Sequence, residues 1–205
     1  MPELDTPQLV AIAAALGWAS GLRLYAVLFL VGGAGRLGWV DLPQGLLLLQ
    51  HPLMLGASGV MLFTEFFADK IPGVDTVWDL LHTVLRIPAG AALAAGVFGA
   101  DQATAATVAA LLGGTLAATS HLAKATTRAA VNTSPEPFSN IGLSLLGDAT
   151  VPAALWLAWT HPLVFLPLLA LMLIAMLATL WMLGRFLRQL LRRVTASGRA
   201  SAGAA

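Results

Sequence analysis

The chain has 205 residues, of which 58% are hydrophobic and 10% charged, and its formal net charge is +1. That composition excludes a soluble domain with a polar surface, and the near-neutral balance excludes a nucleic-acid footprint, which needs a basic face. Cysteine is absent, which removes disulfides, thiolate metal ligands and thiol catalysis.

What composition leaves is a polytopic protein whose main solvent is lipid, each crossing helix needing about 20 apolar residues for a core roughly 30 Å thick. The N-terminal MPELDTP carries Glu3 and Asp5 but no Lys or Arg. The positive n-region of a cleaved signal peptide is therefore missing, and the first apolar run is expected as a membrane helix of the mature protein. It extends from about Pro7, suited to a helix start, to the glycines Gly32, Gly33 and Gly35. Gly17 and Gly21 make a small-xxx-small step for a close neighbour. Arg23 lies deep in the run, where it needs a partner or water unless it snorkels to an interface.

After the loop Arg36 to Pro43, with Trp39 as an interface anchor, a second segment runs from about Gly45 to Asp69. Gln50, His51 and Pro52 interrupt it, which predicts a kinked helix or a short piece followed by a longer one, with His51 a kink residue rather than a ligand. Ile71-Pro72-Gly73 signals a turn, and a third segment follows from Asp75 to about Gly99. Its apolar part after Pro88 spans roughly 18 Å at 1.5 Å per residue, too short to cross alone. The charged half is thus expected at membrane depth, in a Pro-broken span or a protected re-entrant helix. The alternative is a surface helix with Val77, Leu80, Leu81 and Leu85 toward lipid.

A fourth segment runs from about Thr104 to Val131, and the loop Thr133 to Asn140 is held extended by Pro135 and Pro137. A fifth spans about Ile141 to Trp159 and a sixth about Leu163 to Leu183. Residues 185–205, with Arg185, Arg188, Arg192, Arg193 and Arg199, are expected to be a disordered tail, cytoplasmic by the positive-inside rule. The fold expected is an all-α integral membrane domain over 1–205 with about six transmembrane helices. LGWASGLRLY (16–25) matches LAATSHLAKA (116–125), and GLLLLQHPLML (45–55) matches GLSLLGDATVPAALWL (142–157). These matches predict two inverted three-helix repeats, 7–100 and 104–184, with broken or re-entrant helices. The small-residue faces also suit a homo-oligomer.

The densest polar run is Glu65 to Arg86. Asp75, Asp79, His82 and Arg86, at i, i+4, i+7 and i+11, share one helical face, and Glu65 and Asp69 meet it if the turn folds the two segments together. Carboxylates and an imidazole on facing helices suit a divalent cation held by Glu65, Asp69, Asp75, Asp79 and His82. They also suit a proton relay, because close carboxylates do not all stay ionised in a low dielectric, or plain ion pairs with Lys70 and Arg86. His121, Lys124 and Arg128, at i, i+3 and i+7, form a cationic face leading toward Asn132, Ser134, Glu136, Asn140 and Asp148. That face suits an anionic group, or it neutralises the carboxylates. No nucleophile elbow, phosphate-binding loop or dinucleotide fingerprint is present.

The stretches EFFADKIPGVDTVWDLLHTVLRIPAGA (65–91) and KATTRAAVNTSPEPFSNIGLSLLGD (124–148) resemble those of a bacterial family of multi-pass membrane proteins defined as a domain of unknown function. The resemblance covers nearly the whole chain and implies an integral membrane protein of this size; it supplies no activity, and the compartment expected is the bacterial cytoplasmic (inner) membrane. The residues themselves point to a small transporter or channel-like permease, proton- or cation-coupled. In that reading Glu65, Asp69, Asp75, Asp79 and His82 bind the coupling ion, and Arg23, Lys124 and Arg128 hold an anionic group. Lys70, Arg86, His121, Asn132, Ser134, Glu136, Asn140 and Asp148 complete the pathway. Two other classes stay open: a metal-dependent membrane enzyme acting on a lipid or phosphate ester, and a structural or assembly protein.

Overall fold

The computed structural model describes residues 4–133 and 138–202, and the regular structure among them is helical. Helix α1 (Thr6–Arg36) begins where the Asp5 carboxylate accepts the Gln8 N–H at 2.8 Å, with Pro7 in the first turn. A 3-10 turn (Gln44–Gln50) then bends by 69° into α2 (Pro52–Ala68). The short piece followed by a longer one is therefore the form this segment takes. Pro52 opens α2, where its missing N–H does no harm, and His51 Nδ1 accepts the Leu53 N–H at 3.3 Å. A turn with Gly73 at φ +88°, a region open to glycine, leads to α3 (Val74–Gly96). Helices α4 (Ala103–Val131), α5 (Phe138–Thr160) and α6 (Pro162–Ala202) follow. Where the sequence predicts a disordered tail, α6 continues as helix to Ala202, its Arg, Leu and Gln residues being good helix formers.

Every apolar segment read from the sequence is helical, but the expectation of six spans is revised. Among the described residues, four helices are long and apolar enough to cross a membrane, α1, α4, α5 and α6 over Pro162–Phe186, and the bent pair before α3 makes a fifth if it counts as one span. The polar stripe Asp75, Asp79, His82 and Arg86 lowers the apolarity of α3. Burial nevertheless runs inside out on α3, because those four side chains are buried while Val77, Leu80, Leu81, Val84 and Leu85 are exposed. Exposed Leu, Val, Phe and Trp side chains also cover α2, α4, α5 and α6. Long apolar helices with charges inward and large apolar groups outward describe a multi-pass membrane protein.

Arg23 leaves the helical region at φ −148°, ψ 81°, which divides α1 into two arms. Packing fixes their directions. On the first arm, Gly17 lies against Gly90 and Gly113 and Gly21 against Ala117, while Val10, Ala13 and Ala14 line a groove with Phe98 and Val108. The first arm thus runs beside α4 in the same direction and antiparallel to α3. On the second arm, Phe29 meets Gly59 and Gly32 meets Leu49, so this arm runs antiparallel to α2, back toward the end from which the chain came. A Cβ on Gly17 would stand 2.6 Å from the Gly113 Cα, which explains the small-xxx-small step. Gly17, Gly21, Gly90 and Gly113 pack against neighbours within the chain. The stretches 16–25 and 116–125 lie side by side and parallel, whereas inverted halves would carry them in opposite directions. The expected inverted repeat is not shown.

Candidate functional site: a buried ion-pair network

Four helix ends place the site. Helices α2 and α4 finish, and α3 and α5 begin, at the end of the bundle toward which the Arg23 bend points, and their i, i+4 polar positions turn inward there. Five carboxylates (Glu65, Asp69, Asp75, Asp79, Asp148) and five cations (Arg23, Lys70, Arg86, Lys124, Arg128) form one connected set of ion pairs. The formal charge of the set is zero. This is the condition a low-dielectric interior imposes, since an unpaired ion there is far more costly than a paired one.

The innermost part centres on Arg86, which is fully buried. One guanidinium N–H donates to Glu65 Oε1 at 2.6 Å and another to Asp79 Oδ1 at 2.6 Å. The same Nη1 lies 3.2 Å from His121 Nδ1, and since arginine only donates, that nitrogen is the acceptor. His121 Nε2–H then donates to Thr83 Oγ1 at 2.7 Å, and Thr83 donates to the Asp79 carbonyl at 3.0 Å.

Asp69, at the end of α2, is the hub. Its carboxylate takes Arg23 at 3.0 Å, Lys124 at 3.1 Å and Arg128 at 3.1 Å, while its carbonyl accepts from Arg128 at 3.1 Å and Asn140 at 3.5 Å. Lys124 also reaches Asp79 at 3.0 Å and donates to the Leu22 carbonyl at 3.1 Å, satisfying an acceptor freed where α1 breaks. Arg128 lies 3.5 Å from Asp75, whose carboxylate accepts from Asn132 at 2.9 and 3.1 Å. On the other flank Arg23 pairs with Asp148 at 2.9 Å, and Lys70 with Asp148 at 3.1 Å.

The stripe on α3, the carboxylates of α2 and the cationic face of α4 therefore converge, with the cations as direct partners of the acids. Arg23 is buried and paired rather than snorkelling. The proposed metal set does not assemble: among the described residues no group of three or more His, Asp or Glu side chains is placed to hold a metal ion. The reason is that Glu65, Asp69, Asp75 and Asp79 each face a guanidinium or ammonium, and His82 stands apart. Its Nδ1–H donates to the Trp78 carbonyl at 2.7 Å, with the ring stacked on Trp78 and edge-on to Tyr25. Ser134 and Glu136 lie outside the described residues.

Sequence reasoning missed Ser144, whose hydroxyl accepts from Arg23 at 3.0 Å and whose carbonyl accepts from it at 3.1 Å. The signal was present: Asn140, Ser144 and Asp148 repeat at i, i+4, i+8 and form the inward face of α5. Thr83, four residues after Asp79, was visible in the same way.

A cavity of about 360 Å³ touches the network from the side of α5 and α6. Arg23, Lys124 and Arg128 line one corner, while Leu143, Leu146, Met172 and Met176 belong to its apolar remainder. None of the network's carboxylates lines it.

No curated protein and no solved structure matches this chain. A family model described as "Domain of unknown function (DUF4126)" matches residues 10–182, and the chain belongs to that family.

Proposed function

We propose that this protein is a small permease that carries an anion together with a proton. The observation behind this reading is the meeting of three features at one place: the break in α1, the cationic corner formed by Arg23, Lys124 and Arg128, and the cavity that reaches it. Non-helical backbone at membrane depth is tolerated where it is buried in protein or lines a cavity, and carriers commonly build their sites on such broken helices. The charge balance supplies the coupling. An anion that takes Lys124 or Arg23 from Asp69 leaves the neutral network with one negative charge too many, and protonation of a released carboxylate restores zero. Asp69 is the natural acceptor because it is the carboxylate on which Arg23, Lys124 and Arg128 converge.

In this reading α1 re-enters and returns to its starting face, while the bent pair, α3, α4, α5 and α6 cross. The N-terminus then lies opposite the basic C-terminal tail, which the positive-inside rule assigns to the cytoplasm of a bacterial inner membrane. That each of the five acids has a cationic partner supports a second reading, a static assembly protein. Proteoliposomes containing a lumenal pH dye separate the two. Inward gradients of short alkyl sulfonates or phosphate monoesters should acidify the lumen, and Asp69→Asn and Lys124→Ala proteins that remain monodisperse should not respond. Acidification with no probe, or equal acidification by both variants, would count against the permease.

A further inference from the structure

We infer that the cavity between α1, α4, α5 and α6 binds an amphiphile with an acidic head group and an apolar chain. The inference rests on the same site as the permease reading and names its class of substrate.

The cavity itself carries the argument. At about 360 Å³ it belongs to the size class, roughly 300–1,000 Å³, that encloses whole small ligands. Its polarity is split. Cationic groups of α1 and α4 form one corner, and Leu, Met and Ala side chains of α5 and α6 line much of the rest. Asp69, Asp75, Asp79 and Asp148 are not among the lining residues, so the charged residues that border the chamber are all cations although the network as a whole is neutral. A second unpartnered polar group lies beside the chamber. Trp18 lines the cavity, only 1% exposed, and its indole Nε1–H has no hydrogen-bond partner. Buried indole N–H groups ordinarily find an acceptor, and a head-group oxygen reaches this buried one only when the indole turns toward the chamber. A small hydrophilic anion would leave the apolar part of the chamber unfilled, and a plain hydrocarbon would leave Arg23, Lys124 and Arg128 without an anionic partner in it.

The acidic head group could belong to a free single-chain amphiphile or to an anionic membrane lipid, and the test keeps them apart. Protein in nanodiscs of zwitterionic lipid is titrated with chain-brominated dodecanoate, dodecyl phosphate, dodecanol or dodecyltrimethylammonium, or reconstituted with brominated phosphatidylglycerol. Quenching of Trp18 is read as the difference from Trp18→Phe protein. An anionic probe should quench saturably and bind about ten- to a hundredfold more tightly than the alcohol or the cation, the range for hydrogen bonds to a charged group. Ala175→Phe and Thr150→Phe, which fill the chamber without touching the ion pairs, should remove the quenching. Leu171→Phe, on the exposed face of α6, should not. Saturation by the free acids identifies a free amphiphile, and saturation by phosphatidylglycerol alone identifies a membrane lipid. Equal quenching by anion, alcohol and cation, or quenching that survives both chamber-filling variants, would overturn the inference. Binding without proton-coupled flux would sink the permease and leave this site standing. Flux of short anions without amphiphile binding would do the reverse.

Discussion

Replacing Arg86 with methionine tests whether the network is as tightly coupled as its geometry indicates. Arg86 and Glu65 are each 0% exposed and 2.6 Å apart, and Arg86 is the ion-pair partner of Glu65 among the described residues. The substitution strands a buried carboxylate, while Asp79 keeps Lys124 at 3.0 Å. Breaking one side of such a pair costs about 3–5 kcal/mol, or roughly two to three and a half decades in the unfolding constant. Replacing both partners, Glu65→Leu with Arg86→Met, removes one charge of each sign and leaves the rest of the network neutral. Most of the loss should then return, because an apolar pair of similar volume is often neutral or better than a buried ion pair. Lys70→Met provides the contrast. Its partner Asp148 is 21% exposed and retains Arg23, so a change below about 1 kcal/mol is expected. Equilibrium unfolding in mixed micelles, titrated with sodium dodecyl sulfate, measures all three. A loss under about 1 kcal/mol for Arg86→Met, or a double variant no more stable than the single one, would refute the argument.

Other outcomes follow from packing and topology. Gly21→Ala places a Cβ 2.1 Å from both the Ala117 carbonyl oxygen and the Ser120 hydroxyl, so α1 and α4 must separate, at a cost of about 1–3 kcal/mol in the same titration. Gly33→Ala, with nothing within 4 Å, should not destabilise the protein; equal losses at the two sites would show that α1 does not pack on α4 at Gly21. The reversal at Arg23 predicts that single cysteines at Leu4 and Trp39, flanking the two ends of α1, both react with a membrane-impermeant maleimide from the outer face of intact cells. Those at Ile71 and Thr133 should react only after the membrane is opened. Labelling of Leu4→Cys and Trp39→Cys from opposite sides would rule out the re-entrant topology.

The chain alone determined the solvent, the helical segments and the identity of most of the charged site. Those follow from local facts: apolar runs long enough for lipid, Pro and Gly at their ends, and carboxylates and cations at i, i+3, i+4 and i+7 on helix faces. Spacing showed that Asp75, Asp79 and Arg86 share a face and that Lys124 and Arg128 share another, but the partners of each were undetermined. Ion pairing acts between helices, across separations such as Glu65 to Arg86 and Arg23 to Asp148, and only the packed bundle selects among neutral pairings. The same limit applies to direction. The run from Pro7 to Gly35 reads as one span because its composition is uniform, with Arg23 the one charge within it. What turns the chain there is tertiary: Asp69, Asp148 and Ser144 surround the guanidinium from α2 and α5, and Lys124 from α4 takes the carbonyl that the break sets free. A helix in lipid breaks where its stranded polar groups have partners, and those partners lie 46 to 125 residues away along the chain.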